Sequence, residues 1–245
     1  EGCVWGAFDY SQQEPRLVVH YASKLKYTSV DTVVDSYKND EADFHQVVAD
    51  MANIPRTHAK LINLGLFYGM GKKKLSEQLG LSWEESDALF NKYHSEVPFV
   101  RQLANYCAQR ASEVGFIKTI GGRRCRFTMW EPDSKGYNKP MPFDQAMKEY
   151  GKHMGLKRAF TYKALNRLIQ GSAADQTKMA MVALYKEGIL PHIQVHDELD
   201  ISVDNQQQAN MITEIMEQCT LLSIPNKVDA EYGPNWGDTK TTFSE

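Results

Sequence analysis

Residues 189–203 read ILPHIQVHDELDISV, and this stretch decides the fold. Apolar side chains alternate on both sides of Asp197-Glu198, a pattern typical of half-buried strands. The stretch therefore predicts a β-hairpin with two carboxylates near its tip. Near the other end of the chain, the apolar run CVWGAFDY at 3–10 predicts a buried strand that delivers the carboxylate of Asp9 at its end.

The segments between these strands are mainly helical. Apolar spacing, N-cap residues and prolines predict helices at 11–24, 43–52, 55–68, 83–113 with a break at Pro98, 153–187 and 206–222. Two strands around a Gly-Gly turn are predicted at 115–127, a surface loop leading into a helix at 128–150, and a last strand at 226–232, while 28–42 is ambiguous. Because strands gather at the ends and helices in the middle, the pattern predicts an α+β fold.

The composition of the 245 residues is that of an ordinary globular protein, with 42% apolar and 24% charged residues. No apolar run approaches the roughly 18–20 residues of a membrane span, which excludes an integral membrane protein. Lys and Arg number 28 against 31 Asp and Glu, a net charge of −3. A basic footprint over the whole chain is therefore absent, and any nucleic-acid contact must come from local basic patches.

Cysteine usage and the first residue bear on where the protein works. The four cysteines, at 3, 107, 125 and 219, form no CxxC pair, so neither a zinc ribbon nor a thioredoxin-type motif is supported. Free thiols and the lack of a signal-peptide pattern predict the cytoplasm, with an organelle as the alternative. The chain begins with Glu1 rather than Met, so we expect a processed chain or a piece of a longer protein.

Two carboxylates stand out because each ends an apolar strand. Asp9 and Asp197, if brought together, could hold two Mg²⁺ ions about 3.5–4 Å apart, the arrangement used for in-line displacement at phosphorus. The alternative is that each Asp is a turn or cap residue. The residues lie 188 positions apart, so spacing alone leaves both readings open.

The predicted helix 55–68 carries a second constellation. Six residues share one broad helical face by their spacing: Arg56, Lys60, Asn63, Leu64, Phe67 and Tyr68. A guanidinium and an ammonium one turn apart suit a polyphosphate, and an aromatic ring suits base stacking. The alternative is a surface helix with solvated basic residues and buried aromatic ones.

Two further features could contact nucleic acid. Asn166 and Gln170 are spaced i, i+4, and two amides on one helix face could read minor-groove acceptors. The run Lys72-Lys73-Lys74 could touch a phosphate backbone. Ordinary solvated side chains explain either feature equally simply.

The order and wording of these segments carry a resemblance. DYSQQEPR at 9–16 resembles motif A of family A DNA polymerases, R-x3-K-x7-YG at 56–69 resembles motif B, and QVHDE at 194–198 resembles motif C. GFIKTIGGRR at 115–124, NRLIQGSAAD at 166–175 and GPNW at 233–236 are also similar to family segments. The spacing of 11 residues from His45 to Arg56 is more similar to phage replicases than to larger bacterial repair enzymes.

The resemblance implies the architecture of a right-hand polymerase without a thumb. It implies an antiparallel palm sheet flanked by helices, with an inserted, mainly helical fingers subdomain. The implied boundaries are 1–12 for the motif A strand of the palm, 13–157 for the fingers, and 158–245 for the rest of the palm. The family's thumb and 3′–5′ exonuclease precede motif A, so weak DNA binding and no proofreading are expected of this chain alone.

The resemblance also implies catalytic roles. Asp9 and Asp197 hold two Mg²⁺ ions, for which Mn²⁺ can substitute, with help from the Tyr10 carbonyl. Glu198 is a nearby, less essential carboxylate, and Lys60 is the acid for the departing pyrophosphate.

Substrate contacts follow in the same way. The residues implied to bind the dNTP are Glu14, His45, Arg56, Lys60, Leu64 and Tyr68. Of these, Glu14 is the steric gate against a ribose 2′-hydroxyl and bonds Tyr68. The residues implied to contact primer-template DNA are Gln12, Asn166, Gln170 and His196.

Three residues depart from the family pattern. Leu64 stands where Phe or Tyr is usual, which leaves the handling of sugars lacking a 3′-hydroxyl open. Pro15 follows the gate residue and removes one backbone N–H. Tyr162 replaces an Arg that bacterial members carry near the primer end, and the neighbouring Lys163 could compensate.

Two other functions stay open at this point. Single-subunit RNA polymerases share motif B, but they typically have HDS rather than HDE and lack the motif A glutamate, so Glu14 and Glu198 favour DNA synthesis. A non-catalytic module that binds primer-template together with a separate thumb chain is the second alternative. The expected partners are therefore primer-template DNA, dNTPs and the missing thumb and exonuclease region, with no membrane.

Overall fold

Strand β1 (Val4–Tyr10) is the central strand of a five-stranded antiparallel sheet. A computed structural model describes residues 4–27, 29–39, 43–67, 72–134 and 138–240. The sheet has the order β10-β9-β1-β8-β7, with β7 at Ile193–Val195, β8 at Glu198–Val203, β9 at Val228–Asn235 and β10 at Asp238–Lys240. The strand predicted at 3–10 and the hairpin predicted at 189–203 are thus confirmed, and the two are hydrogen-bonded neighbours.

The helices follow most of the sequence predictions. They are α1 Gln13–Lys24, α2 Val30–Lys38, α3 Phe44–Ala52, α4 Arg56–Phe67, α5 Lys72–Leu79, α6 Trp83–Glu96, α7 Pro98–Val114, α8 Phe143–Glu149, α9 Ala164–Lys186 and α10 Gln206–Gln218. The predicted break at Pro98 is confirmed, because Pro98 is the first residue of α7, where its missing N–H costs nothing. The segment that was ambiguous in the sequence contains α2.

Residues 128–163 follow the prediction only in part. The helix predicted within 128–150 is confirmed as α8, but the loop before it and the start of the next helix differ. The predicted surface loop contains β4 (Met129–Pro132), which pairs with β5 (Met141–Pro142) and with β6 (Leu156–Arg158). The helix predicted from 153 begins only at Ala164, since β6 and a 3₁₀ turn come first and Phe160 adopts a left-handed φ of 62° that a helix cannot continue through. The predicted pair β2 (Phe116–Lys118) and β3 (Arg124–Arg126) is confirmed.

Contacts divide the chain into two compact units. Unit 1 comprises residues 1–25, 32–44 and 172–245, and unit 2 comprises residues 26–31 and 45–171. Unit 1 therefore includes α1, which the sequence assigned to the fingers. The boundaries predicted at 12/13 and 157/158 stay a prediction.

Unit 1 buries its apolar side chains on one face of the large sheet. Alternate residues of β1 and β8 point into this core, where α9 and α10 cover them: Phe8, Tyr10, Leu199, Ile201, Val203, Ala180, Leu184, Ile212 and Met216. Because strand side chains alternate, the remaining residues of β1 and β8 lie on the opposite face. That face carries Asp9 and Glu198, so burial of the core fixes where the carboxylates project.

Within the described ranges, no helix is long and apolar enough to cross a membrane.

Candidate active site

Three carboxylates form a row across the centre of the unit 1 sheet. Asp9 on β1 lies directly opposite Glu198 on β8 and, on its other side, opposite Asp229 on β9. Directly opposed residues of antiparallel strands have Cβ atoms about 4.5–5.5 Å apart, and like charges in such positions repel. The row is therefore unfavourable by itself, which indicates that it serves a ligand of opposite charge.

Asp197 joins this row from the turn of the hairpin. Val195 pairs with Glu198, so His196 and Asp197 form the two-residue connection between β7 and β8. His196 adopts a left-handed φ of 54°, a conformation that costs a non-glycine residue about 1–2 kcal/mol. Gln194 Nε2 donates to the His196 carbonyl at 2.7 Å and supports the turn. Strain held in place by such contacts is frequent at functional sites.

Asp9, Asp197 and Glu198 hold their protons more tightly than free carboxyl groups. Burial, followed by the charges of Asp197, Glu198 and Asp229, raises the pKa of Asp9 to about 6. Burial is also the main cause that raises the pKa of Asp197 and of Glu198. A nearby cation would remove the penalty of ionisation, since opposite charge favours the charged form.

The carboxylates of this site suit a cation that also keeps water molecules and substrate oxygens as ligands. In the described part of the chain, no three His, Cys, Asp or Glu side chains gather closely enough to hold a metal ion. Mg²⁺ is usually bound through one or two carboxylates, with waters and substrate phosphates completing its shell. Asp9 and Asp197 are the two carboxylates that could serve in this way.

The side chain of Tyr10 points away from the carboxylates. It is 2% exposed, and its hydroxyl donates to the Met216 carbonyl at 2.6 Å. The phenol therefore anchors the end of β1 to α10. Of the groups of Tyr10, only the backbone carbonyl is suited to the ligand role implied by the resemblance.

Arg16 supports the turn that follows Asp9. It is buried, its Nε donates to the Ser11 carbonyl at 2.8 Å, and its Nη1 donates to the Pro225 carbonyl at 2.6 Å. The guanidinium also lies 4.6 Å from the centre of the Tyr37 ring. One side chain thus ties the motif A turn to the segment before β9, which carries Asp229.

We expect Arg16→Met to destabilise unit 1 without removing any carboxylate. Two backbone carbonyls lose charged donors, and each such loss costs about 1–3 kcal/mol. At about 2–4 °C per kcal/mol for a chain of this size, thermal unfolding should show a melting temperature lower by roughly 4–24 °C. Lys178→Met, at an exposed position of α9, is the control and should change stability little. Equal stability of the two variants would show that the Arg16 bonds do not support the fold.

Gln12 and Glu14 flank the start of α1. The Gln12 side-chain oxygen accepts from the Tyr37 hydroxyl at 3.1 Å and from the Phe44 N–H at 2.9 Å. The DNA contact predicted for Gln12 stays a prediction. Glu14 is partly exposed in the first turn of the helix. Its predicted partner, Tyr68, lies outside the described residues.

In unit 2, the residues of α4 do not all face solvent. Arg56 and Lys60, in the amino-terminal half, are exposed, and Leu64 is partly buried. Asn63 and Phe67, in the carboxyl-terminal half, are 0% and 1% exposed. The broad face predicted from spacing is thus divided along the helix axis: its first half offers two cations, and its second half is core.

His45 lies on α3 and is 9% exposed. Its Nδ1 is 3.1 Å from Asn63 Nδ2, and the Tyr93 hydroxyl of α6 donates to Asn63 Oδ1. The triphosphate contact implied for His45 stays a prediction. The structure adds that the ring is held by a hydrogen-bonded network within unit 2.

The first part of α9 carries the two predicted amides beside a basic hairpin. Gln170 is exposed and Asn166 partly exposed. Arg123 Nη2, from the turn between β2 and β3, donates to the Gly171 carbonyl at 2.9 Å, and Arg167 Nη1 donates to the Arg126 carbonyl at 3.0 Å. These bonds hold the hairpin against Arg167 and Gly171, the residues next to the two amides in the chain.

Charge is distributed unevenly between the two units. Unit 1 carries 7 Lys and Arg against 19 Asp and Glu, a net charge of −12, whereas unit 2 carries 21 against 12, a net charge of +9. The near-neutral total therefore hides one unit suited to cations and another suited to polyanions. Lys72, in the predicted lysine run, is paired with Asp87, while Lys73 and Lys74 are exposed.

Comparison with known proteins identifies the family. The family model described as DNA polymerase family A matches residues 1–238. The chain belongs to DNA polymerase family A. It is 40% identical to the DNA-directed DNA polymerase of Pseudomonas phage M6 over 97% of this chain and 39% of that protein. It is 30% identical to DNA polymerase I of Pseudomonas aeruginosa over 95% of this chain and 24% of that protein.

A solved structure agrees with this assignment. The chain is similar to the POL domain of Pol1 from M. smegmatis in complex with DNA primer-template and dNTP, with a TM-score of 0.75 and 28% identity. The match covers 96% of this chain and 40% of that one. The family and the palm and fingers fold implied by the resemblance are therefore confirmed, and the chain spans less than half the length of these relatives.

The structure adds to this family A site three residues that no sequence pattern indicated. Asp229 and Arg16 have been described above. Trp236 Nε1 lies 3.4 Å from Glu198 Oε1, and this contact lowers the pKa of Glu198 against the effect of burial. All three stand in stretches that the sequence analysis quoted or predicted, but only strand register and tertiary contacts show which carboxylate or turn each one reaches.

Proposed function

We propose that this chain carries the nucleotidyl-transfer centre of a family A DNA polymerase. It adds deoxynucleotides to a primer 3′-hydroxyl, directed by a template, and releases pyrophosphate. The observation that supports this best is the meeting of Asp9, Asp197 and Glu198 at one end of three neighbouring strands. Carboxylates that repel one another across a sheet are stabilised by divalent cations, and polymerases act through such cations.

Asp9 and Asp197 would hold two Mg²⁺ ions. When bound, these ions lower the pKa of the primer hydroxyl and neutralise charge on the leaving pyrophosphate. Lys60 donates a proton to the pyrophosphate as it leaves, and Arg56 binds the triphosphate through its planar fork of donors. Both side chains are exposed on α4, which supports these roles.

The remaining roles are carried over from the family. Glu14 leaves no room for a ribose 2′-hydroxyl, and Tyr68 stacks on the nucleotide. Gln170, Asn166 and His196 contact the primer terminus and its minor groove, where degenerate acceptors suit contacts that ignore sequence.

Primer extension at low salt tests the proposal. The wild-type chain should extend a primer in the presence of Mg²⁺ or Mn²⁺, and Asp197→Asn should not. Glu187→Gln removes a carboxylate at an exposed position of unit 1 and should extend like the wild type. Ribonucleotides incorporated as fast as deoxynucleotides would instead support an RNA polymerase. Binding of primer-template without extension by the wild type would support the non-catalytic module.

The basic hairpin of unit 2 predicts a salt effect on DNA binding. Lys118 and Arg124 are exposed and paired across β2 and β3. If each neutralises one phosphate, Lys118→Gln combined with Arg124→Gln should reduce the slope of log K against log salt by about 1.8. Fluorescence anisotropy with a primer-template at several salt concentrations measures this slope. Lys148→Gln combined with Lys152→Gln is the charge-matched control, and an equal effect there would assign the change to net charge alone.

A further inference from the structure

One hydrogen bond of Glu198 leads away from the other carboxylates of the site. Trp236 Nε1 lies 3.4 Å from Glu198 Oε1. An indole nitrogen can only donate, so Trp236 is the donor and Glu198 the acceptor. Trp236 is 52% exposed, so its ring adds little to the core. Replacing the ring should therefore leave the fold intact.

Strand register shows the direction in which this bond holds Glu198. Asp9, near the carboxyl end of β1, lies opposite Glu198 of β8, whereas Trp5, near the amino end, lies opposite Gly233 of β9. Trp236 follows Gly233 by three residues, in the two-residue turn that connects β9 to β10. The turn lies at the Trp5 end of the sheet, so the indole draws the Glu198 carboxylate towards that end.

Asp197 lies on the other side of Glu198. It stands in the turn between β7 and β8, beyond the row that Asp9 and Glu198 form. The charge of Asp197 raises the pKa of Asp9 more than the charge of Glu198 does, although Glu198 is the residue directly across from Asp9. This order agrees with a Glu198 carboxylate that is turned away from Asp9 and towards Trp236.

We propose that Trp236 is a positioning residue that holds Glu198 apart from Asp9 and Asp197, so that these two carboxylates alone take up the cation. The catalytic use of that cation rests on the proposed function, whereas the position of Glu198 does not. Mg²⁺ is usually bound through one or two carboxylates and keeps its other positions for water and substrate phosphates. A third carboxylate would occupy a position that the substrate needs. The alternative is a Trp236 that only stabilises the β9–β10 turn.

Binding of Mn²⁺ to the chain without DNA or nucleotide tests the proposal. Electron paramagnetic resonance of the free ion gives the dissociation constant. In the wild type, Glu198 must give up its indole bond before it can reach the cation, but in Trp236→Phe it need not. We therefore expect Trp236→Phe to bind Mn²⁺ about tenfold more tightly, the equivalent of one hydrogen bond to a charged group. Trp236→Leu also lacks the donor and should show the same gain.

A double-mutant cycle assigns the gain to Glu198. When Trp236→Phe is introduced into Glu198→Gln, the Mn²⁺ affinity should stay that of Glu198→Gln, because no third carboxylate is left to join the cation. Trp83→Phe removes an exposed indole from unit 2 and is the matched control, with the affinity of the wild type. Unchanged or weaker Mn²⁺ binding in both Trp236 variants would overturn the proposal, and so would an equal gain in the Glu198→Gln background.

Urea unfolding of the same variants separates positioning from support of the turn. We expect Trp236→Phe to unfold at a urea concentration close to that of the wild type. A lower midpoint without any gain in Mn²⁺ affinity would assign Trp236 to the turn alone and reject the positioning role.

These measurements also separate the inference from the proposed function. If primer extension fails but the Mn²⁺ affinities behave as expected, the positioning role stands and catalysis by this chain alone fails. If extension succeeds and Trp236→Phe binds Mn²⁺ no more tightly than the wild type, the positioning role fails and the function stands.

Discussion

Replacing Asp9 with Asn is expected to abolish primer extension and, at pH 8, to make the protein harder to unfold. The catalytic loss follows because one of the two carboxylates that would hold the Mg²⁺ ions is removed. A metal ion contributes several kcal/mol of charge stabilisation in the transition state, so we expect a loss of about 10³-fold or more in kcat.

The gain in stability follows from the raised pKa of Asp9. The folded pKa of about 6 exceeds the ordinary value of 3.8, so the folded state binds the proton more tightly than the unfolded state. Ionisation of Asp9 therefore costs the wild type stability as the pH rises from about 4 to about 6, and above pH 6 the cost is complete. Asn never ionises, so the variant escapes this cost at pH 8 and loses its advantage below pH 4.

Urea unfolding at pH 4 and pH 8, with and without Mg²⁺, measures these effects. At pH 8 without Mg²⁺ the unfolding midpoint of Asp9→Asn should exceed that of the wild type. Mg²⁺ should raise the unfolding midpoint of the wild type more than that of Asp9→Asn, because a ligand that binds only the folded state stabilises it. Asp35→Asn, at an exposed position of α2, should change neither the unfolding midpoint at pH 8 nor the effect of Mg²⁺ on it. A midpoint of Asp9→Asn below the wild type at pH 8 would contradict the electrostatic account.

Replacing Lys60 with Ala is the second large expected effect. Loss of a general acid lowers rates by about 10²–10⁴-fold, and loss of the charge also weakens triphosphate binding. Lys60 is exposed, so the fold should tolerate the change. We therefore expect a large fall in kcat with an unfolding midpoint close to that of the wild type.

Lys60→Arg separates the proton from the charge. Arg keeps the positive charge but does not release its proton at the pH of the reaction. If Lys60 is the acid, Lys60→Arg should restore KM for the nucleotide but not kcat. Rapid-quench measurement of a single addition reports both values, and restoration of kcat by Arg would leave Lys60 as a charge only.

The sequence predicts which carboxylates form the site, but it does not predict how they are arranged. The alternation around Asp197-Glu198 and the apolar run before Asp9 are local patterns, and local patterns give strands. The pairing of Asp9 with both Glu198 and Asp229 is a matter of register between distant strands. The sequence contains the acid at 229 in a predicted strand, but register with β1 is set only when the core face is buried.

Residues of α4 show a second limit of what can be predicted from the sequence. Spacing correctly gives the angle of Asn63 around the helix axis, close to that of Arg56 and Lys60. It gives no information on depth, and Asn63 is buried where side chains of α3 and α6 bond to it. A residue predicted to face a substrate is therefore core.

Short strands mark a third limit. Strands β4, β5 and β6 have two to four residues each, and β4 pairs with both of the others. So few residues show no period of two, and the apolar Trp130 is explained only by its contacts with Phe143 and Arg158.

Net charge was similarly uninformative, because the opposite charges of the two units cancel in the total.

The alternation of β1 has a consequence for insertions and deletions. Phe8 fills the core while Asp9, the next residue, projects from the other face, and neighbours on both sides hold the strand in register. Deleting one residue between Val4 and Phe8 would force a choice between turning Trp5 inward and placing the Asp9 carboxylate in the core. Removing two residues would preserve both faces. We therefore expect homologous chains to vary this strand in steps of two residues, whereas the loops beyond its ends can change length by any number.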